Sequence, residues 1–312
     1  MTVRHVLSIA ELGPENLTDI LHRGFAIAAQ QDGGAQPLKG KTVGIYFRGP
    51  STRTRTSFTV AALKLGAGTI TYGPNDLQLV TGETIEDTAR VLAGFLDALV
   101  IRTNKSVAEM QAFAAQDEMA IVNAMSESEH PTQAIADLVT INEALGRLTD
   151  VHVLYLGEGN NTAASLALAM ALTPGMRLTL VTPAGYGLPA TMLQTAQDLA
   201  RQTGSTIEQQ HDIEHLPAHV DAVYTTRWQT MGEPKADADW RERFAPYSVT
   251  PALMARVSKP TGTIFLHDLP AVRGEDTHDA VLDGPQSRAF RQARHKLTSA
   301  MAVLSWCLAA KS

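Results

Sequence analysis

Segments of strand and helix character alternate along most of this chain of 312 residues, and that alternation constrains its fold most tightly. Thr42–Phe47 (TVGIYF) reads as a strand, followed by a polar loop and a helix through Ala61–Leu65. Ala98–Ile101 reads as a short strand with a helix around Ser106–Gln116, and Ala120–Asn123 as another strand. Pro131–Leu145 then places apolar residues at helical spacing. Strand and helix in turn predict a parallel sheet with crossover helices. Gly146–Val151 reads as a boundary, because Val151–Leu156 opens a second alternating series. That series holds the helix Ala163–Ala171, the strand Arg177–Val181, the helix Ala190–Gln202 and the strands Ala222–Thr225 and Thr263–Phe265. A last helix runs from about Ala289 to Ala310. The expectation is α/β: two open parallel-sheet domains, residues 1–147 and 148–289, with an active-site cleft between them. Ligands in such sheets sit outside the carboxyl ends of the strands, so the loops after strands matter most.

Composition narrows the function classes. At ~150 residues per domain the length fits two domains, enough to bury cores without disulfide or metal staples. Lys and Arg number 26 against 32 Asp and Glu, a formal charge of −6, so no global positive field draws nucleic acid or an anionic membrane. Cys307 is the only cysteine, which excludes an intramolecular disulfide and a Cys-rich zinc site. The start, Met1 to Asn16, carries His5, Glu11 and Glu15 and lacks a signal-peptide core. Ser165 and Asp97 interrupt the longest apolar runs, which fall short of the ~20 residues a bilayer requires. A cytoplasmic protein with no membrane or nucleic-acid partner is the expectation.

Four loops could carry chemistry. Arg48-Gly49-Pro50-Ser51-Thr52-Arg53-Thr54-Arg55 follows a strand and enters a helix. Hydroxyls, guanidiniums and free N–H groups at a helix start suit a phosphate; a Ser/Thr-capped helix with solvated arginines fits the spacing equally. His130-Pro131-Thr132-Gln133 sits at another strand-to-helix junction, where His and Gln could donate to a carbonyl or phosphate oxygen. Gly157-Glu158-Gly159-Asn160-Asn161 resembles a dinucleotide turn, but Val181-Thr182-Pro183 stands where the ribose-binding acid belongs, which argues against a nicotinamide cofactor. The fourth region pairs Tyr224–Gly232 with His267-Asp268-Leu269-Pro270.

Taken together, Ser51-Thr52-Arg53-Thr54-Arg55, His130-Pro131-Thr132-Gln133, the Gly-Asn-Asn turn and His267-x-Leu269-Pro270 resemble the aspartate/ornithine carbamoyltransferase family, with the ornithine branch nearer. Gly82-Glu83-Thr84, Asp87-Thr88-Ala89-Arg90 and Asp283-x-Pro285-Gln286-Ser287 fit too, in order along nearly the whole chain. The resemblance implies a carbamoyl-phosphate domain, an amine domain, a final helix (about 290–312) packing back on the first domain, and a homotrimer. It implies no metal and no cofactor, carbamoyl phosphate being a co-substrate. It places Ser51, Thr52, Arg53 and Thr54 around the phosphate, and Arg102, His130 and Gln133 on the carbamoyl group. Gln78 would reach a neighbouring subunit's site. Asn161 would bind the acceptor's carboxylate, and Thr230-Met231-Gly232 would belong to a loop closing over the amine, with Thr226, Arg227 and Leu269 nearby.

In the implied reaction a neutral amine attacks the carbamoyl carbon, an oxyanion forms and phosphate leaves. Arg102, His130 and Thr54 act as oxyanion donors. An alkylammonium has a pKa of ~10.4, so presenting it uncharged at neutral pH costs about 4–5 kcal/mol in water.

Four departures from the ornithine branch bear on the acceptor. Asp268 stands where that branch has Cys, and Thr226 where it has Asp; Thr230 replaces Ser, and Lys296 replaces an Arg that contacts the carbamoyl group. Asp268 is expected to take over recognition of a substrate ammonium, unless it pairs with Arg227 or Arg273. Arg227 with Gln229 also resembles the aspartate branch, so an acidic or other non-ornithine amine is the alternative, as is a non-catalytic paralogue that binds carbamoyl phosphate.

Overall fold

The computed structural model describes residues 3–30, 34–229 and 234–309. It divides into two compact units, Met1–Val139 with His295–Ser312 and Thr140–Arg294. In the first, α1 (Ile9–Ala28) precedes β1 (Thr42–Phe47), α2 (Arg53–Lys64), β2 (Gly68–Tyr72), α3 (Ile85–Ala93), β3 (Ala98–Arg102), α4 (Ala108–Phe113) and β4 (Ala120–Met125), and α5 (Pro131–Leu145) begins there. The strands form a parallel sheet in the order β2-β1-β3-β4. From β1 the chain goes to one side for β2 and to the other for β3 and β4. The carboxyl ends of β1 and β3 therefore flank a topological switch point, where open α/β sheets bind ligands.

The second unit contains β5 (His152–Leu156), α6 (Asn161–Leu172), β6 (Arg177–Val181), α7 (Ala190–Thr203), β7 (Thr206–Gln210), β8 (Ala222–Thr225), α8 (Trp240–Phe244), α9 (Pro251–Val257), β9 (Ile264–His267) and α10 (Asp279–Leu282), and α11 (Ala289–Leu308) starts in it. Its parallel sheet has the order β7-β6-β5-β8-β9, with the switch point between β5 and β8.

Both sheets are built from short apolar runs buried on two faces, the pattern of parallel strands covered by helices. Every residue of β3, β4, β8 and β9 is buried. α6 is buried along all of its length, which explains why its sequence is apolar on every side. Several elements differ from expectation: α3, β7, α8, α9 and α10 were not anticipated, and three others are instructive. α1 was not anticipated: Gly13 (φ 69°) and Pro14 break its pattern, and Ser8 caps it by accepting from the Ala10 N–H. β2 is an exposed edge strand whose Gly-Thr-Ile-Thr-Tyr lacks an apolar run. The helix expected around Ser106–Gln116 is only α4.

At the amino end of the second sheet, Asp221 accepts from Arg147 at 2.9 Å, Lys259 at 2.5 Å and the His152 N–H at 2.9 Å. Burial, together with the neighbouring Arg177, lowers the pKa of the His152 imidazole to about 4. Cys307 is buried, and burial pushes its thiol up to about 12. Among the described residues no helix is long and apolar enough to cross a membrane.

Two stability tests follow from this packing. A Cβ on Gly159 would lie 2.3 Å from the Leu188 nitrogen and 2.4 Å from the Gly187 carbonyl carbon, and backbone there has nowhere to retreat. Gly159→Ala should cost about 1–3 kcal/mol and lower Tm by several degrees. Gly68→Ala, whose Cβ meets nothing nearer than 3.9 Å, should have little effect. For His152 the folded value lies below the unfolded value of about 6.5, so the unfolded chain binds the proton first. Its contribution to stability is complete above pH ~6.5 and lost as pH falls toward about 4. Urea titrations across that window should show a shallower loss for His152→Gln than for the wild type.

Candidate active site

In the first unit the loop after β1 delivers the chain to α2 with its first turn unneutralised. Thr52, the N-cap, has αR backbone angles and makes no side-chain cap bond, and no acidic residue lies in the first turn. The capped-helix reading of this loop therefore fails. The Thr52 side chain does not cap this helix of 12 residues, and the first turn carries Arg53 and Arg55, a start that suits an anion. Ser51 and Arg53 are half-buried and Thr52 is exposed.

Arg102 ends β3, opposite Phe47 at the end of β1, and its carbonyl accepts the Arg48 N–H at 3.0 Å. The β3–β4 register shifts between Ile101 and Arg102, so the arginine stands at an irregularity where pairing gives way to the loop. Its guanidinium donates to Thr54 Oγ1 at 3.2 Å, and both side chains are buried.

His130 reaches the same region through a tight turn. The Ser126 N–H donates to the Glu129 carbonyl at 2.8 Å, and the Glu129 N–H to Ser126 Oγ at 3.2 Å. The Glu129 carboxylate accepts from Ser8 Oγ at 2.5 Å and the Ile9 N–H at 2.9 Å, tying the start of α1 to the residue before His130. His130 then opens α5, its carbonyl accepting the Gln133 N–H at 3.0 Å. Burial holds the imidazole well below its ordinary pKa, and the Lys296 and Arg102 cations push it the same way. His130 is thus a neutral ring at physiological pH.

Gln133 is buried one turn into α5; its Nε2 donates to Asp137 Oδ1 at 2.6 Å and its Oε1 accepts from Lys296 Nζ, brought in by α11. Thr54, Arg102, His130, Gln133 and Lys296 therefore line one part of the unit as a buried polar set with two cations, the Asp137 carboxylate lying behind Gln133. Gln78 stands apart, exposed and accepting from Thr81 Oγ1 at 2.9 Å within its own 3-10 turn.

In the second unit the candidates gather at the carboxyl ends of β5, β8 and β9. Asn160 caps α6, its Oδ1 accepting from the Thr162 N–H at 3.0 Å and the Ala163 N–H at 3.2 Å, and Asn161 is the buried first residue of the helix. Asp268, just past β9, accepts from Thr162 Oγ1 and Thr226 Oγ1, each at 3.0 Å. Thr226 follows β8, so this one carboxylate joins loops from two strands to the start of α6. The pairing of Asp268 with Arg273 does not form: Arg273 holds Asp283 through two bonds of 2.6 and 2.9 Å and Asp279 at 2.9 Å. Arg227 is half-buried and makes no ion pair with any described residue. Leu269 has a left-handed backbone (φ 54°) before a cis bond to Pro270, and its N–H donates to His267 Nδ1 at 2.9 Å. Thr230 and Met231 lie outside the described residues.

Sequence reasoning missed one cluster in this unit. Lys235 pairs with Glu158, and its ammonium lies 4.8 Å from the Tyr186 ring centre, 4.9 Å from that of Phe244 and 5.7 Å from that of Trp240. Such a cage fixes a lysine by cation–π attraction as well as charge. Trp240 and Phe244 stand four apart on α8, the one local sign of it in the sequence. Glu158 lies in the turn that carries Asn161, so the lysine braces that turn.

Known proteins resemble this chain over both units. The carbamoyl-P binding domain of the aspartate/ornithine carbamoyltransferases matches residues 4–143, and the Asp/Orn binding domain matches residues 149–307. The ornithine carbamoyltransferase of Anoxybacillus flavithermus is 38% identical over 303 residues, covering 96% of this chain and 94% of that protein. That of Acidothermus cellulolyticus is 38% identical over 309 residues, covering 98% and 97%. Among solved structures, the ornithine carbamoyltransferase from Pyrococcus furiosus superposes with a TM-score of 0.91 at 35% identity, covering 98% of this chain and 97% of that one. With both domains matched and full-length relatives at this identity, the chain belongs to the aspartate/ornithine carbamoyltransferase family.

Proposed function

We propose that this protein transfers the carbamoyl group of carbamoyl phosphate to the amine of ornithine or a related diamino acid, giving a ureido product and phosphate. The observation that carries this reading is the buried Thr54–Arg102 bond with His130, Gln133 and Lys296 gathered around it. The first unit holds carbamoyl phosphate: the phosphate against the start of α2 with Ser51, Thr52 and Arg53, the carbamoyl group at Arg102, His130 and Gln133. The amine attacks the carbamoyl carbon, the carbonyl π electrons move onto oxygen, and the oxyanion is met by donors that need no rearrangement. Collapse breaks the bond to the phosphate oxygen, whose charge the arginines and the helix end receive, and the proton lost by the amine leaves with phosphate or solvent.

His130 serves better neutral here. A ring with one N–H can donate to the carbonyl oxygen without adding a third charge beside Arg102 and Lys296. Lys296 keeps a positive charge where the ornithine branch has an arginine, but gives up the bidentate fork. Its bond to Gln133 makes it a brace for the amide of that residue as well as a charge.

The second unit holds the acceptor through Asn161, Thr226, Arg227, Asp268 and Leu269. An acidic acceptor is disfavoured, because a second carboxylate would have to sit near Asp268. The labile acyl phosphate and the lone buried thiol support a cytoplasmic setting. A homotrimer is part of the same reading. Leu63, Ile70, Val80, Val91 and Phe95 are five of the six exposed large apolar side chains among the described residues, and all fall within residues 63–95 with exposed Gln78 among them. That concentration supports a subunit interface on the first unit.

Incubation with carbamoyl phosphate and a panel of ornithine, shorter diamino acids, lysine, putrescine and aspartate should release phosphate and form a ureido product with a diamino acid. No turnover with any of them would support the non-catalytic alternative. Arg102→Met should lower kcat by about 10²–10³-fold, as loss of one oxyanion donor does, with a smaller change in the KM for the amine. Light scattering should give a mass three times the 33.5 kDa of one chain; a monomer would remove the trimer from this reading.

A further inference from the structure

Asp268 is largely withdrawn from water, its side chain 14% exposed, yet both partners that hold it are neutral hydroxyls. Its other neighbour, His267, lies 3.5 Å away through Nδ1. That nitrogen accepts the Leu269 N–H at 2.9 Å, so it carries no proton, and the ring proton sits on Nε2, 3.3 Å from Asp276. His267 therefore meets Asp268 as a lone pair and not as a cation. Arg273 is engaged with Asp279 and Asp283, and Arg227, adjacent to Thr226, forms no ion pair with Asp268. Among the described residues this carboxylate has no cationic partner, and a buried carboxylate gains most from one.

We infer that Asp268 binds the α-ammonium of the amino-acid acceptor and so determines specificity, and that it is not the partner of the amine that reacts. The inference rests on the reading above, in which the acceptor is an amino acid, and it names which of two amines the acid takes. Position is the first argument. Thr162, which holds one carboxylate oxygen, is the second residue of α6 and directly follows Asn161. An α-amino acid carries ammonium and carboxylate on one carbon, so a carboxylate held at Asn161 would bring the α-ammonium to the same end of α6 that Asp268 is tied to. The reacting amine of a diamino acid lies at the other end of its side chain.

The sign of the electrostatics is the second argument. A carboxylate beside an amine stabilises the protonated form and raises its pKa. Beside the reacting amine Asp268 would oppose the deprotonation that attack requires. Beside the α-ammonium, which stays charged throughout, the same attraction strengthens binding without slowing the reaction. Thr162 and Thr226 fix both oxygens, so a group is recognised there by position as well as by charge.

Calorimetric binding in the presence of carbamoyl phosphate tests this with two ligands that lack the second amine. L-Norvaline has the α-ammonium and the carboxylate; pentanoate has the carboxylate alone. The wild type should bind norvaline about tenfold to a hundredfold more tightly than pentanoate, the range expected of one charged hydrogen-bonded contact. Asp268→Asn should bring that ratio close to one by weakening norvaline only. A wild-type ratio near one, or an Asp268→Asn protein that loses both ligands alike while keeping its Tm, overturns the inference. Should Asp268→Asn fail to fold, Thr226→Val, which removes one orienting hydroxyl, should narrow the ratio; an unchanged ratio counts against the inference. Turnover separates this result from the function itself. A preserved norvaline preference without turnover of ornithine supports the ammonium site while sinking the choice of acceptor. If Asp268→Asn lowers kcat/KM equally for ornithine and 5-aminopentanoate, which has no α-ammonium, the acid serves the reacting amine and the inference is wrong.

Discussion

Parallel strand order is the constraint on which both halves of this protein depend. When every strand runs the same way, all carboxyl ends open on one edge of the sheet, and the chain must leave each through a loop into a helix. Where strand order reverses, two such loops diverge and leave a crevice. The first sheet reverses between β1 and β3, and there Arg102 meets Thr54. The second reverses between β5 and β8, and there Thr162 and Thr226 meet at Asp268. The same topological rule, applied twice, places a cationic site in one unit and an anionic residue in the other.

The charges are managed differently in the two units. In the first, burial above all, and then the neighbouring Lys296 and Arg102, keep the His130 imidazole neutral. In the second, one acid is kept by hydroxyls alone, while the nearby Glu158 has its own lysine. Pairing Glu158 with Lys235 inside an aromatic cage settles one acid of this edge internally and leaves Asp268 as the one whose described partners are all neutral.

Much of the fold was legible because buried parallel strands are short apolar runs, and β1, β3, β5 and β8 stand out as such between polar loops. β2 was not, because an edge strand exposed to solvent needs no apolar run, and α1 was hidden by Gly13 and Pro14 in its first turns. The loop before α2 was legible as a cluster of hydroxyls and arginines, but spacing alone left a capped helix equally open; the backbone of Thr52 argues against the cap. Asp268 stood out as a departure from its family's pattern. Its hold could not be read, since Thr162 lies 106 residues away and Thr226 42. The Lys235 cage is a similar case, with Glu158 77 residues from its lysine. Contacts made across strands carry no local signature.

Moving an acid from the loop after β8 to the loop after β9 is a small change in sequence and a large one in electrostatics. At position 226 the hydroxyl donates to the acid at 268, so the two positions are tied to one another. A carboxylate held this way cannot follow a ligand that is displaced or longer, because both of its oxygens are tied to separate elements. On the inferred role of Asp268, recognition of the acceptor is set by geometry fixed before binding, which lowers the ordering cost on association. On the same inference, the neutral amine that attacks and the charged amine held by Asp268 are different groups of one molecule, which favours an acceptor with two.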